Sequence, residues 1–260
     1  DTKFYDIEFT SENIEDDKIQ AINKVKNKSI LSILKNTLTE NDYVEINRQL
    51  TDDLINTFIK NIVINDEQII NNKYISKIRI NFDKKKIINF FRLNKIPYVE
   101  YHPSYFLLIV YEINELNNNL FTENNLHYKF FNEKKQNYNL FRIPNLDIND
   151  RFILNEEHIV KRDISKINKF SDKYNSTENI IIIAKNDKNK IIYDLIMNSN
   201  GNILEKTLIL NKNEMGLFFN KLENEAINLW KQINKIQNET LNFLNCDISY
   251  FNIFELREIR

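Results

Sequence analysis

The sequence predicts an α+β / α/β protein built from two small mixed units, each a sheet packed by helices, and three observations carry that expectation. Apolar residues change several times along the chain between a period of two and a helical period. A hydrophobic content of 42%, with 18 Phe and 12 Tyr in 260 residues, is enough for two cores and too apolar for a disordered chain. Residues 74–113 then show both periods in one stretch. Tyr74, Ser76, Ile78 and Ile80 alternate with Ile75, Lys77, Arg79 and Asn81, as in a sheet with one buried face. Residues 105–111 are a continuous apolar run, the signature of a strand covered on both faces.

The elements follow in order. Residues 4–9 alternate and read as a first strand. Over residues 15–38, Ile19, Ile22, Val25, Ile30, Ile33 and Leu34 form a helical stripe, and Glu15, Asp16 and Asp17 suit the positive end of its dipole. A second helix is expected over residues 42–59, with Tyr43, Ile46, Leu50, Leu54 and Phe58 inward. Residues 62–70 and 73–82 read as strands joined by Asn71-Asn72, a dipeptide that tolerates the left-handed conformation of a tight hairpin. Asp83 offers the N-cap of a short helix carrying Ile87, Phe90, Phe91 and Asn94, and Pro97 and Pro103 bracket a link that cannot continue it.

The second unit opens with the apolar strand. A helix is expected over residues 124–136, a short strand over 140–143 halted by Pro144, a turn over 145–149, and helix within 156–174 on Ile159, Ile164, Ile167 and Phe170. A meander follows over residues 179–185, 190–199 and 203–210, with Asn200-Gly201 as its strongest hairpin signal. Asn213 is expected to cap a long helix to about residue 237, burying Leu217, Phe218, Leu222, Ala226, Leu229, Trp230, Ile233 and Ile236. Residues 246–253 resemble a strand and 254–260 the start of a helix without stop signals. The expected units are therefore residues 1–97, 98–240, and 241–260 as the beginning of a further domain.

Composition narrows the function. Lys and Arg total 36 against 37 Asp and Glu, giving a net charge of −1 and no global footprint for nucleic acid. No apolar run reaches the roughly 18 residues of a bilayer span, so no transmembrane segment is expected, and peripheral proximity to a membrane stays open. The lone Cys246 cannot form an intrachain disulfide and reads as a small buried hydrophobe. A start at Asp1 fits a mature terminus left by signal-peptide removal, although an arbitrary cut looks identical. Gly201 and Gly216 both read as lying outside any strand-to-helix loop, which removes the glycine-rich phosphate loops and the nucleotide cofactors they hold. His102, His127 and His158 have no second ligand at zinc spacing. No cofactor, metal centre or catalytic constellation is expected.

Two clusters remain as candidates. Asp147, Asp150 and Arg151 belong to a polar loop after Pro144 that reads either as a hard-cation loop or, preferably, as an Asx-rich turn bonded to its own backbone, since it lacks the glycine and distant Glu of an EF-hand. With His158, whose Glu156 and Glu157 neighbours suit a helix N-terminus, Asp147 and Asp150 would supply a metal-dependent hydrolase, the alternative function. Tyr98, Tyr101 and His102, in the proline-bounded link, either present aromatic surface to a partner or pack between the units. Lys84, Lys85 and Lys86 read as a solvated first helical turn.

Residues 78–83, the helix end Asn94-Lys95-Ile96-Pro97, and the link and strand through Ile113 together resemble a family of uncharacterised exported proteobacterial proteins known as domain of unknown function 2066. That family shows a strand ending in Phe-Asp, a short helix with a Gly-Leu-Pro-like end, an aromatic and Arg-Pro link, then an apolar strand. Lys95 and His102 stand in this chain where glycine and arginine are usual. Residues 144–150 and the meander ending in Asn-Gly are similar too, and the resemblance covers about residues 19–244. It implies the periplasm, and a second unit that looks like the amino-terminal domain of the Tol translocation protein and the middle domain of the flagellar outer-membrane protein T. It implies no reaction and carries over no catalytic residue. The resulting expectation is a non-enzymatic periplasmic envelope protein, a binding or accessory module for another protein or an envelope component.

Overall fold

The computed structural model describes residues 2–114, 118–134 and 139–237, so Cys246 and the strand and helix expected after it lie outside the described residues. The α+β expectation holds, with helices packed on two separate sheets. The first unit runs β1 (Tyr5–Thr10), α1 (Ile14–Thr37), α2 (Glu40–Gln49), α3 (Asp52–Phe58), β2 (Ile59–Ile70), β3 (Lys73–Phe82) and α4 (Lys84–Leu93). Its sheet is antiparallel, in the order β1-β3-β2. The alternation in β3 turns Tyr74, Ser76, Ile78 and Ile80 inward, where Val25 of α1 packs on Ile78 and Ile80. Asn71 and Asn72 take φ of 47° and 62°, the left-handed values the hairpin turn requires.

The helix expected over residues 42–59 is two helices. The Thr51 hydroxyl accepts from the Leu54 N–H at 3.2 Å and starts α3 afresh while Leu50 is extended. At the end of α4, Lys95 adopts φ of 55° and the Ile96 N–H bonds back to the Phe91 carbonyl at 2.8 Å, a left-handed helix stop.

The second unit comprises β4 (Phe106–Ile113), β5 (Asn118–Asn119), α5 (Leu126–Lys134), β6 (Phe141–Arg142), a 3₁₀ turn (Ile148–Phe152), α6 (Glu156–Val160), α7 (Ile164–Lys173), β7 (Glu178–Asp187), β8 (Lys190–Ser199), β9 (Asn202–Asn211), a second 3₁₀ turn (Lys212–Leu217) and α8 (Phe218–Asn234). Strands follow the order β5-β4-β7-β8-β9, with β6 also beside β4. β4 and β7 are parallel, whereas β7, β8 and β9 form the antiparallel meander. Along β4, Phe106, Leu108 and Val110 face the core made with α5 and α8, while Leu107, Ile109 and Tyr111 face the one made with α6 and α7. Cover on both faces is why this strand is apolar from Phe106 to Tyr111.

The entry to α8 departs from expectation. Asn213 does not cap it; a 3₁₀ turn intervenes, Leu217 occupies the cap position without a side-chain bond, and Leu217 and Ile236 are exposed. Gly216 therefore does lie between a strand and a helix, though a Cβ there would meet nothing within 4 Å.

The units meet along the link and α8. Tyr98 packs with Phe91 and Leu34 in the first core, and the next residue, Val99, packs in the second. Tyr98 and Ile236 exchange backbone hydrogen bonds of 3.4 and 2.8 Å, and Val99 N–H donates to the Thr37 carbonyl at 2.9 Å. The buried Lys231 of α8 donates to the carbonyls of Lys35 and Leu38 at the C-terminal end of α1, where the helix dipole favours a cation.

Candidate functional site

The polar loop folds onto itself. Asp147 Oδ1 accepts from the backbone and side-chain N–H groups of Asn149, both at 2.9 Å, and so caps the 3₁₀ turn. Asp150 is fully buried; one carboxyl oxygen accepts from Lys173 Nζ and the other from the Tyr174 hydroxyl. Burial, then the hydrogen bond to Asp150, push the Tyr174 hydroxyl up to about 12. Arg151 donates to the Leu120 carbonyl at 3.0 and 3.2 Å and pairs with Glu156 at 3.3 Å. His158 completes a capping box with Asn155, its backbone N–H donating to Asn155 Oδ1 at 2.9 Å and its Nδ1 accepting from the Asn155 N–H at 3.3 Å. Each side chain has a local structural partner, and no group of three or more His, Cys, Asp or Glu among the described residues could hold a metal ion.

The aromatic link divides. Tyr98 is buried, its hydroxyl accepting from Arg92 Nε at 3.2 Å, so it offers no surface to a partner. Tyr101 is 58% exposed and set edge-on to Trp230, with ring centroids 5.3 Å apart. His102 is exposed and lies over the same indole with a centroid separation of 6.4 Å. Partial burial, then the Lys231 charge, hold the His102 imidazole below its ordinary value. Tyr105 donates to the Asn175 carbonyl at 3.0 Å and carries the Arg142 guanidinium 3.8 Å from its ring centre.

Residues 101–105 and residues 175–178 together line a cavity of about 260 Å³. Glu178 opens β7 and lies opposite Ser199 of β8. Its place in the strand period puts it on the face of Ile180 and Ile182, toward α8. The residue is 7% exposed, and its Oε2 is buried without a hydrogen bond, as is Nε1 of Trp230. Burial pushes the Glu178 carboxyl above the usual carboxylate range, and the Ser199 hydroxyl and Trp230 indole facing it only partly offset that.

A second buried acid behaves differently. Glu112 Oε1 accepts from Asn114 at 2.8 Å, its Oε2 accepts from the Leu126 N–H at 2.9 Å, and His127 Nδ1 stands 3.6 Å away. His127 in turn meets the Tyr193 hydroxyl through Nε2 at 3.2 Å. Burial alone would raise the Glu112 carboxyl, yet these donors outweigh it and hold it below the ordinary value. Both oxygens of this carboxylate are satisfied, although His127 Nδ1 itself makes no hydrogen bond.

Sequence reading missed Glu178. Its only local signal is an acid at the head of the apolar run Ile180, Ile181, Ile182, Ile183; nothing local pairs it with Ser199 or Trp230. Comparison with protein-family models, curated proteins and solved structures returns no match for this chain.

Proposed function

We propose that the chain is a non-enzymatic binding module of the bacterial cell envelope, acting in the periplasm as an accessory to another envelope component, which it receives at the cleft of Tyr101, His102, Tyr105 and Glu178. The observation that carries the reading is Glu178: a buried acid with an unpartnered oxygen, beside a cavity whose outer wall is aromatic. Aromatic residues supply large contact area at low entropic cost, and a desolvated polar group gains most when a partner satisfies it. The compartment rests on the sequence resemblance of residues 78–113. The polar loop supports no hydrolase, because Asp150 already holds Lys173 and Tyr174.

The test is a photo-crosslinking amino acid at position 101 and, as control, at Leu93, which is 84% exposed on α4. In bacteria expressing the full-length protein, a discrete adduct is expected from position 101 and not from 93, with the protein in the periplasmic fraction. Equal labelling at both positions, or no adduct with the protein in the cytoplasm, overturns the proposal.

A further inference from the structure

We infer that this cleft binds an organic ammonium group, whose N–H donors engage the carboxylate of Glu178 while its alkyl chain lies against Tyr101. The inference rests on the reading of the cleft as a binding site and names its ligand chemistry. Comparison with the other buried acids shows why the charge matters: among the described residues three acidic residues are buried, Glu112, Asp150 and Glu178, and Glu178 alone has a buried carboxyl oxygen without a hydrogen-bond donor. A buried carboxylate left in that state costs free energy, which a ligand with N–H donors recovers.

The surroundings select the sign of the ligand. An anion would meet the Glu178 charge, and a neutral apolar molecule would leave it unpaired. Neither nearby cation pairs with Glu178: Lys231 Nζ is turned to the carbonyls of Lys35 and Leu38, and Arg142 stacks on the Tyr105 ring. His102, held below its ordinary value, is neutral at pH 7 and does not repel a cation. Tyr101 is fixed edge-on by Trp230 and exposes more than half its surface, so it can offer apolar and π contact to an alkylammonium. A volume of about 260 Å³ suits one side-chain-sized group rather than a large cofactor. That chemistry has two sources, a free small amine and a lysine side chain of a partner.

Trp230 is the sole tryptophan of the chain and contacts both Tyr101 and His102, so its fluorescence reports on the site. Purified full-length protein is titrated at pH 7 and constant ionic strength with butylammonium, with N-acetyl-lysine methylamide, with tetramethylammonium, which has no N–H donor, and with butyrate. Saturable changes are expected for the first two, at least tenfold weaker binding for tetramethylammonium, and none for butyrate. Loss of a charge-assisted hydrogen bond predicts at least tenfold weaker butylammonium binding in Glu178→Gln. Tyr101→Ala, an exposed change with an unaltered circular dichroism spectrum, weakens it several-fold. Binding of butylammonium within tenfold of the lysine amide identifies a free amine as sufficient, and binding of the lysine amide alone identifies a partner lysine; either supports the inference. No saturable change with either ammonium probe, or unchanged affinity in Glu178→Gln, overturns it. A position-101 adduct without ammonium binding would leave the cleft a partner site of other chemistry, so the two readings fail separately.

Discussion

Asp150 and Glu178 are both buried acids of the second unit, and their surroundings are opposite. Asp150 is met by an ammonium and a phenol, so its charge is absorbed into the join between the 3₁₀ turn and α7. Glu178 is enclosed by a strand neighbour and an indole that do not hydrogen-bond its Oε2, beside open volume. The difference teaches that burial of a charge does not by itself mark a site; the unfilled partner position does. Asp150, which sequence reading singled out, is structural, while Glu178, which it passed over, carries the candidate cleft.

The largest effect should come from breaking the satisfied member. Asp150→Ala strands the Tyr174 hydroxyl and Lys173, and should cost about 3 kcal/mol in urea unfolding, because removal of a charged acceptor exceeds the loss of a neutral hydrogen bond. A cost under about 1 kcal/mol would erase the contrast with Glu178.

Lys231 sharpens the comparison from the basic side. Burial, then Lys35, lower its ammonium from 10.5 to about 8. Between those values the unfolded chain binds more protons than the folded one, so stability rises as pH goes from 8 to 10.5. The rise should be on the order of 3 kcal/mol at about 1.4 kcal/mol per unit. Urea midpoints across that window should climb in the wild type and show no Lys231-dependent rise in Lys231→Met; equal slopes would mean that the lysine is solvated.

Glu178 should give a smaller effect of the opposite slope. Its raised folded value means that the native state retains a proton the unfolded chain has lost, so stability falls as pH rises from 4.5 through the folded value and stays lower at neutrality. Glu178→Gln should remove that fall. If thermal melting between pH 4 and 7 is the same in both proteins, the carboxyl is not desolvated.

The smallest effect calibrates the scale outside both acids. Lys95 holds φ of 55° at the end of α4, a conformation that suits glycine, so Lys95→Gly should raise stability by about 0.5–1 kcal/mol in the same urea assay.

Much of the fold was legible because its signals are short-range. The Asn71-Asn72 and Asn200-Gly201 turns, the Asp83 cap, and the alternation of β3 each involve residues within a few positions of one another. Where reading failed, a local bond competed with periodicity: Thr51 restarted a helix that the apolar stripe would have carried through, and a 3₁₀ turn displaced Asn213 from the cap of α8. The candidate site was half legible, since Tyr101 and His102 stand out as aromatics in a proline-bounded link.

By itself the sequence determined the α+β class, the hairpins, and the strand that is apolar on both faces, since backbone sterics and hydrophobic period act within one element. Only the tertiary structure decided which buried charges are paired. Sheet register sets Glu178 opposite Ser199, docking of α8 brings Trp230 to it and Lys231 to the end of α1, and the link folds Tyr101 and His102 over the indole. Those meetings join residues far apart in the chain, and the free energy that selects them is that of the assembled core.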